Sequence, residues 1–185
     1  MKAILQRVLS ASVTVEGELV SSIGRGVLVF AAVGPGDTEK EAELLAAKVL
    51  KFKLWDNANG GRVRFPLLKI IAQWREPALI GRDQWKMNVQ DIDGEVLCVS
   101  QFTLLASTNK GSKPDFHNAM GGEDARRLYQ YFYRKVQDGY KVDKVKDGVF
   151  QAMMQVALVN DGPVTLELSA HPKQDHNLKK PKIGE

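Results

Sequence analysis

The chain has a single cysteine, Cys98, among its 185 residues, and three histidines. One thiol excludes an intrachain disulfide framework and a multi-cysteine zinc site, and it fits a reducing compartment, most simply the cytoplasm. His117, His171 and His176 do not make a metal-ligand spacing, so no metal is expected. No apolar run approaches the length of a membrane span. The N-terminal apolar stretch is broken by Gln6 and Arg7, which makes it a poor signal peptide and a good first strand. Charge of one sign is also scarce: the net is only +4. The tail from His171 to Glu185 carries +2 of it, through Lys173, Lys179, Lys180 and Lys182 against Asp175 and Glu185. The balance permits an anionic partner without requiring one. What is present is ordinary for a globular chain, 44% hydrophobic and 26% charged, and the length suits one domain.

Hydrophobic patterning predicts an α+β fold, mostly antiparallel sheets covered by two main helices. Strands are expected over 3–9 and 12–15, with a turn at Glu16-Gly17-Glu18 and a return over 19–23. Residues 27–33 are apolar on both faces, which marks a central buried strand. A helix is expected over 38–51, with Thr38 and Glu41 forming a capping box and Ala42, Leu45, Ala46, Val49 and Leu50 one stripe. A short strand follows over 52–55. A second helix over 123–137 places Leu128, Tyr129, Phe132, Tyr133 and Val136 on one face, where core packing is the natural reading. Residues 95–105 form a strong strand; 153–159 and 164–168 form two more, joined by a turn at Asn160-Asp161-Gly162-Pro163.

Common catalytic templates are missing. There is no G-x-S-x-G elbow around Ser100, no P-loop and no dinucleotide fingerprint. Cys98 lies mid-strand, where a thiol is buried and inert. Two polar interruptions remain. Ser100-Gln101-Phe102-Thr103 follows the apolar run Val96-Leu97-Cys98-Val99, and buried hydroxyls and amides need partners. That segment is either a strand end satisfied by neighbouring backbone or part of a site. Asn160-Asp161-Gly162-Pro163-Val164-Thr165 is either a plain turn or a place where Gly162 lets a ligand approach the backbone.

These two segments, in this order, resemble the two signature motifs of the D-aminoacyl-tRNA deacylase family. Gln6-Arg7-Val8 with Ala11-Ser12-Val13, Lys86-Met87-Asn88, and Met154-Gln155-Val156 are similar as well. The resemblance extends to about Leu168. It implies a homodimer with a barrel-like core that uses no cofactor and acts on the 3′ end of aminoacyl-tRNA. The implied reaction is hydrolysis of the ester of a D-amino acid, and of glycine, with L-residues rejected. The implied filter is a cis Gly162-Pro163 dipeptide inserted into the site of the other subunit. By the same resemblance Ser100, Gln101, Phe102 and Thr103 line the catalytic pocket, with backbone amides near Phe102 and Thr103 stabilising charge. In the implied mechanism the ribose 2′-hydroxyl of the substrate activates water, and Thr103 as a nucleophile is the lesser alternative. The resemblance further implies that Phe150 and Met154 wall the adenosine, that Arg7 helps hold the Gly-Pro loop, and that Asn160 and Lys86 complete the substrate-binding set.

Two stretches depart from the family. Residues 60–85 read as an insertion, with Phe65-Pro66-Leu67-Leu68 and Trp74-Arg75-Glu76-Pro77 inside it, and removal of Arg62 to Gln84 is expected to spare the chemistry. Residues 171–185 read as a flexible basic tail beyond a single deacylase domain over 1–170. A rival reading is a non-catalytic nucleic-acid-binding module on the same fold, using the tail lysines and Lys110-Gly111-Ser112-Lys113 against phosphates.

Overall fold

The computed structural model describes residues 1–56, 85–109 and 111–171. The expectations for the insertion, the tail and Lys110 therefore fall outside the described residues, apart from Trp85 and His171. Six strands and two helices are built from β1 (Lys2–Val15), β2 (Glu18–Ile23), β3 (Gly26–Ala32), α1 (Glu39–Lys51), β4 (Glu95–Ser100), α2 (Gly122–Asp138), β5 (Val145–Asp147) and β6 (Gln155–Ser169).

β1 is one long strand rather than two. Its burial switches phase, with Ala3 and Leu5 buried, then Val8, then Ala11 and Val13. Strict alternation cannot do this. The switch falls where pairing with β6 slips, between Gln6 and Val8 and again between Val8 and Ser10. One edge of β1 is shared, its first half by β3 and its second half by β2, both antiparallel. β6 runs antiparallel along the other edge, from Lys2↔Ser169 to Thr14↔Gln155. β4 joins β3, and β5 joins β4, in parallel. The sheet is thus mixed. The Ser21 hydroxyl donates to the Asp147 carbonyl at 2.8 Å, tying β2 to β5. The result is a nearly closed, barrel-like sheet.

The two-sided apolar character of β3 follows from this position. Val27, Val29 and Ala31 pack into a cluster under both helices with Leu5, Leu45, Val49 and Phe132. Leu28 faces the barrel interior with Val8, Val13, Ile23, Leu97 and Val99. Cys98 is fully buried on the helix side of β4, and desolvation pushes its thiol well above the ordinary range. β3 and β4 meet so closely at Gly26 that a Cβ there would lie 1.9 Å from the Glu95 carbonyl oxygen. α1 begins as expected: the Thr38 hydroxyl accepts from Lys40 N, and Glu41 accepts from Thr38 N at 2.8 Å. α2 buries Leu128, Tyr129, Phe132 and Val136.

Three further expectations are corrected. Residues 52–55 make only an isolated bridge, Trp55 with Met87. The strand expected over 95–105 stops at Ser100, where its pairing with Ala31 ends, and Phe102–Leu105 coil into a 3₁₀ turn. Residues 153–159 and 164–168 are not a hairpin. Both pair with β1, so the chain keeps its direction, and Asp161–Val164 bulge outward between Asn160, opposite Val8, and Thr165, opposite Gln6.

Candidate functional site

A cavity of about 760 Å³ opens where β3 and β4 end. Ala31, Ala32 and Val33 leave β3 on one side, and Ser100, Gln101, Phe102 and Thr103 form the adjoining lip. The start of α2 contributes Gly122, Ala125 and Tyr129. Phe150, Gln151 and Met154 approach from the segment before β6. Most of the lining is carbon, as suits a small-molecule or nucleoside pocket with a few placed polar groups.

Those polar groups are mainly backbone. Gln101 N is taken by the Ala31 carbonyl at 2.8 Å. Phe102 N and Thr103 N, at the start of the 3₁₀ turn, donate to no other described residue. Two adjacent free N–H groups at a turn are suited to a developing oxyanion. The Thr103 hydroxyl accepts from Gln101 Nε2 at 2.5 Å. Among the described residues no carboxylate or imidazole bonds to it, so no base is placed to activate it.

Tyr129 carries the cavity wall and a buried polar link. Its hydroxyl donates to Asp147 Oδ1 at 2.5 Å. Burial raises its pKa well above the ordinary value, with the charges of Cys98 and Asp147 adding to the effect. The Asp147 carboxyl is pushed up to about 6, chiefly by burial, against the opposing hydrogen bonds from Tyr129 and the Gly148 amide. The Tyr129 ring lies 5.6 Å from that of Phe150.

A second group of expected residues gathers away from this cavity. The Gly162–Pro163 peptide is cis, and both residues are exposed on the outward bulge of β6. Arg7 sits where β1 slips against that bulge. Its Nε donates to the Asp161 carbonyl at 2.9 Å and pairs with the Asp161 carboxylate at 3.2 Å; Nη1 donates to the Leu54 carbonyl. The guanidinium lies 6.0 Å from the Trp85 ring. Asn160 precedes the bulge, with its Oδ1 buried and unpartnered. Lys86 donates its amide to the Trp55 carbonyl at 2.8 Å, beside the same clamp.

The structure therefore brings Ser100, Gln101, Phe102, Thr103, Phe150 and Met154 together. Arg7, Asn160, Gly162 and Pro163 form a separate cluster, with Lys86 at its margin. Sequence reasoning missed Tyr129 and Gln151 as lining residues. A polar-tipped aromatic on an apolar helix face was the available signal for the first.

Among the described residues no group of histidine, cysteine or carboxylate side chains could hold a metal ion, and no helix is long and apolar enough to cross a membrane.

Among the described residues the apolar pocket combines free amide donors with no nucleophile–base pair, an arrangement compatible with hydrolysis of an acyl bond that is already activated. Comparison with known proteins agrees. The model of the family described as D-Tyr-tRNA(Tyr) deacylase matches residues 4–169. The D-aminoacyl-tRNA deacylase of Yarrowia lipolytica is 46% identical over 168 residues, covering 90% of this chain and 96% of that one. Human D-aminoacyl-tRNA deacylase 1 is 39% identical over 188 residues, covering 97% and 79%. A solved structure named c-Myc DNA Unwinding Element Binding Protein superposes with a TM-score of 0.78 at 40% identity, covering 93% and 100%. A probable eukaryotic D-amino acid tRNA deacylase shares the fold, with a TM-score of 0.66 at 17% identity, covering 90% and 97%. The chain belongs to the D-Tyr-tRNA(Tyr) deacylase family and is an ester hydrolase.

Proposed function

We propose that this chain hydrolyses the ester between a D-amino acid, or glycine, and the 3′ end of tRNA, and rejects L-aminoacyl-tRNA. The observation that carries the reading is one pocket lined both by Phe102 and Thr103, whose amides donate to no other described residue, and by Phe150 and Met154. The aminoacyl group lies toward Ser100, Gln101 and Thr103, and the terminal adenosine toward Phe150 and Met154. Water, activated by the ribose 2′-hydroxyl, adds to the ester carbonyl. The two amides hold the oxyanion, and collapse expels the ribose oxygen, which leaves as a hydroxyl on tRNA beside a free D-amino acid.

Chiral selection is assigned to Gly162 and Pro163. They do not line the cavity of their own chain, and Arg7 fixes the bulge that exposes them. A second copy would place them at its partner's pocket, so the active form is a homodimer and residues 1–170 act as one catalytic domain. Exclusion by a fixed backbone discriminates better than side-chain attraction, which yields only about 1–3 kcal/mol per group. Asn160, opposite Val8 at the start of the same bulge, and Lys86, beside the Arg7 clamp, belong to the same substrate-binding set.

The test is release of amino acid from matched D- and L-aminoacyl-tRNA, with sedimentation of the same sample. Release from D-aminoacyl-tRNA and glycyl-tRNA only, by a dimer, is expected. A monomer with full activity overturns the assignment in trans. tRNA binding without release from either isomer supports the second reading, a nucleic-acid-binding module; the likeness to a protein named for DNA binding favours it.

A further inference from the structure

Gln151 is an exposed turn residue whose side chain is nonetheless placed by its neighbours. It lines the cavity next to Phe150, yet its φ is +65°, in the left-handed region that residues with a side chain seldom adopt. Its side chain is placed by two neighbours on α2. Arg126 Nη2 donates to Gln151 Oε1 at 3.0 Å. The same guanidinium lies 5.0 Å from the Phe150 ring centroid, so one arginine fixes both residues. Gly122 leaves room on the other side: a Cβ there would lie 2.8 Å from Gln151 Nε2.

Arg126 can only donate, so the amide oxygen must face it and the NH₂ must face Gly122, at the edge of the cavity. That NH₂ donates to no other described residue. That pair of N–H donors is open to solvent, and its placement by an arginine beside an aromatic wall matches a flat ligand with an acceptor in its edge. A purine ring stacked on Phe150 has such acceptors in its ring nitrogens.

We propose that Gln151 is a substrate-binding residue that donates a hydrogen bond to a ring nitrogen of the terminal adenine, with Arg126 as its positioning residue. The assignment rests on the proposed function for the identity of the natural ligand, but its test need not. The left-handed backbone and the close approach to Gly122 are then the means by which a side chain from the β6 approach reaches the nucleoside edge.

Adenosine 5′-monophosphate is the probe for direct binding, and D-aminoacyl-tRNA for turnover. Gln151→Gly suits the backbone and removes the donor. It should weaken AMP binding and raise KM about tenfold, with kcat within twofold and thermal stability undiminished. Gln151→Glu keeps the partner of Arg126 but puts an acceptor where the NH₂ was, and should weaken binding further. Arg126→Ala should raise KM with Gln151 intact, and have a smaller effect in Gln151→Gly, where only its contact with the Phe150 ring remains to be lost. Unchanged AMP affinity and KM in both Gln151 variants overturns the proposal, as does a fall confined to kcat. If the unaltered chain releases no D-amino acid, the proposed function fails, and the AMP series still decides the role of Gln151.

Discussion

Asp147→Asn should make the protein more stable at neutral pH. The carboxyl ends β5 partly out of solvent, accepting from the Tyr129 hydroxyl at 2.5 Å, and burial holds its pKa at about 6 against an ordinary 3.8. Below about pH 4 the group is protonated in both folded and unfolded chains and has no effect. Between about 4 and 6 the unfolded chain loses the proton while the folded chain keeps it, so folding becomes less favourable as pH rises. Above 6 the penalty is constant. A shift of about two units corresponds to roughly 3 kcal/mol, and partial exposure of the group lowers this to roughly 1–3 kcal/mol. Asparagine keeps an oxygen to accept from Tyr129 and removes the charge. Urea unfolding followed by tryptophan fluorescence at pH 7 and pH 4 measures both ends. The variant should gain roughly 1–3 kcal/mol at pH 7, or about 2–4 °C in Tm per kcal/mol. The advantage should fall toward zero at pH 4. A variant no more stable at pH 7, or one whose advantage does not shrink on acidification, refutes the reasoning.

Gly162→Ala should cut D-amino acid release at least tenfold with the circular dichroism spectrum retained. The added Cβ would sit 2.8 Å from Val164 Cγ2 and 3.1 Å from Arg7 Nη2, at a φ of +126°; undiminished turnover contradicts the role assigned to that bulge. Thr103→Ala should keep turnover within severalfold, since among the described residues no base bonds its hydroxyl and the proposed oxyanion donors are backbone; an acyl group trapped on Thr103 reverses this. Gly26→Ala should lower stability by at least about 3 kcal/mol in denaturant melts, because the neighbour it meets at 1.9 Å is backbone that cannot rotate away. Thr38→Ala should cost about 1 kcal/mol through loss of the α1 cap.

Features set by near neighbours in the chain could be read from the sequence. The Thr38–Glu41 cap is a contact across three residues, and the two-faced burial of β3 is written in an unbroken apolar run. Features set by a distant partner could not. Phe102, Leu104 and Leu105 look like more strand, but β4 stops where β3 stops offering hydrogen bonds. The turn formers at 160–163 suggest a hairpin, and only β1, some 150 residues away, reveals them as a bulge in one strand. The phase change in β1 is legible as the interruption Gln6-Arg7, but not its purpose, which is to turn Arg7 toward Asp161. For the site, polarity marked Ser100–Thr103 and Gly162-Pro163, and resemblance to a family supplied Phe150, Met154 and Arg7. Tyr129 looked like core because it is core on one side. Gln151 carries no sequence signal, because its placement depends on space left by Gly122 and on a hydrogen bond from Arg126.

The pairing of β1 with β6, from Lys2↔Ser169 to Thr14↔Gln155, also governs how the chain is made. The first strand leaves the ribosome with half of its hydrogen-bonding partners still unsynthesised. At roughly 5–20 residues per second, some 8–30 seconds separate the appearance of the two edges. During that interval β2 and β3 can close on β1, but its other edge stays open, a template for pairing with any passing strand. The Arg7 clamp cannot form before Asp161 emerges, so the exposed bulge is shaped only when nearly all of the described fold has been synthesised. Contacts so distant in sequence make for slow folding, and a nascent chain truncated before β6 would carry the Ser100–Thr103 lip with neither the bulge nor a finished sheet.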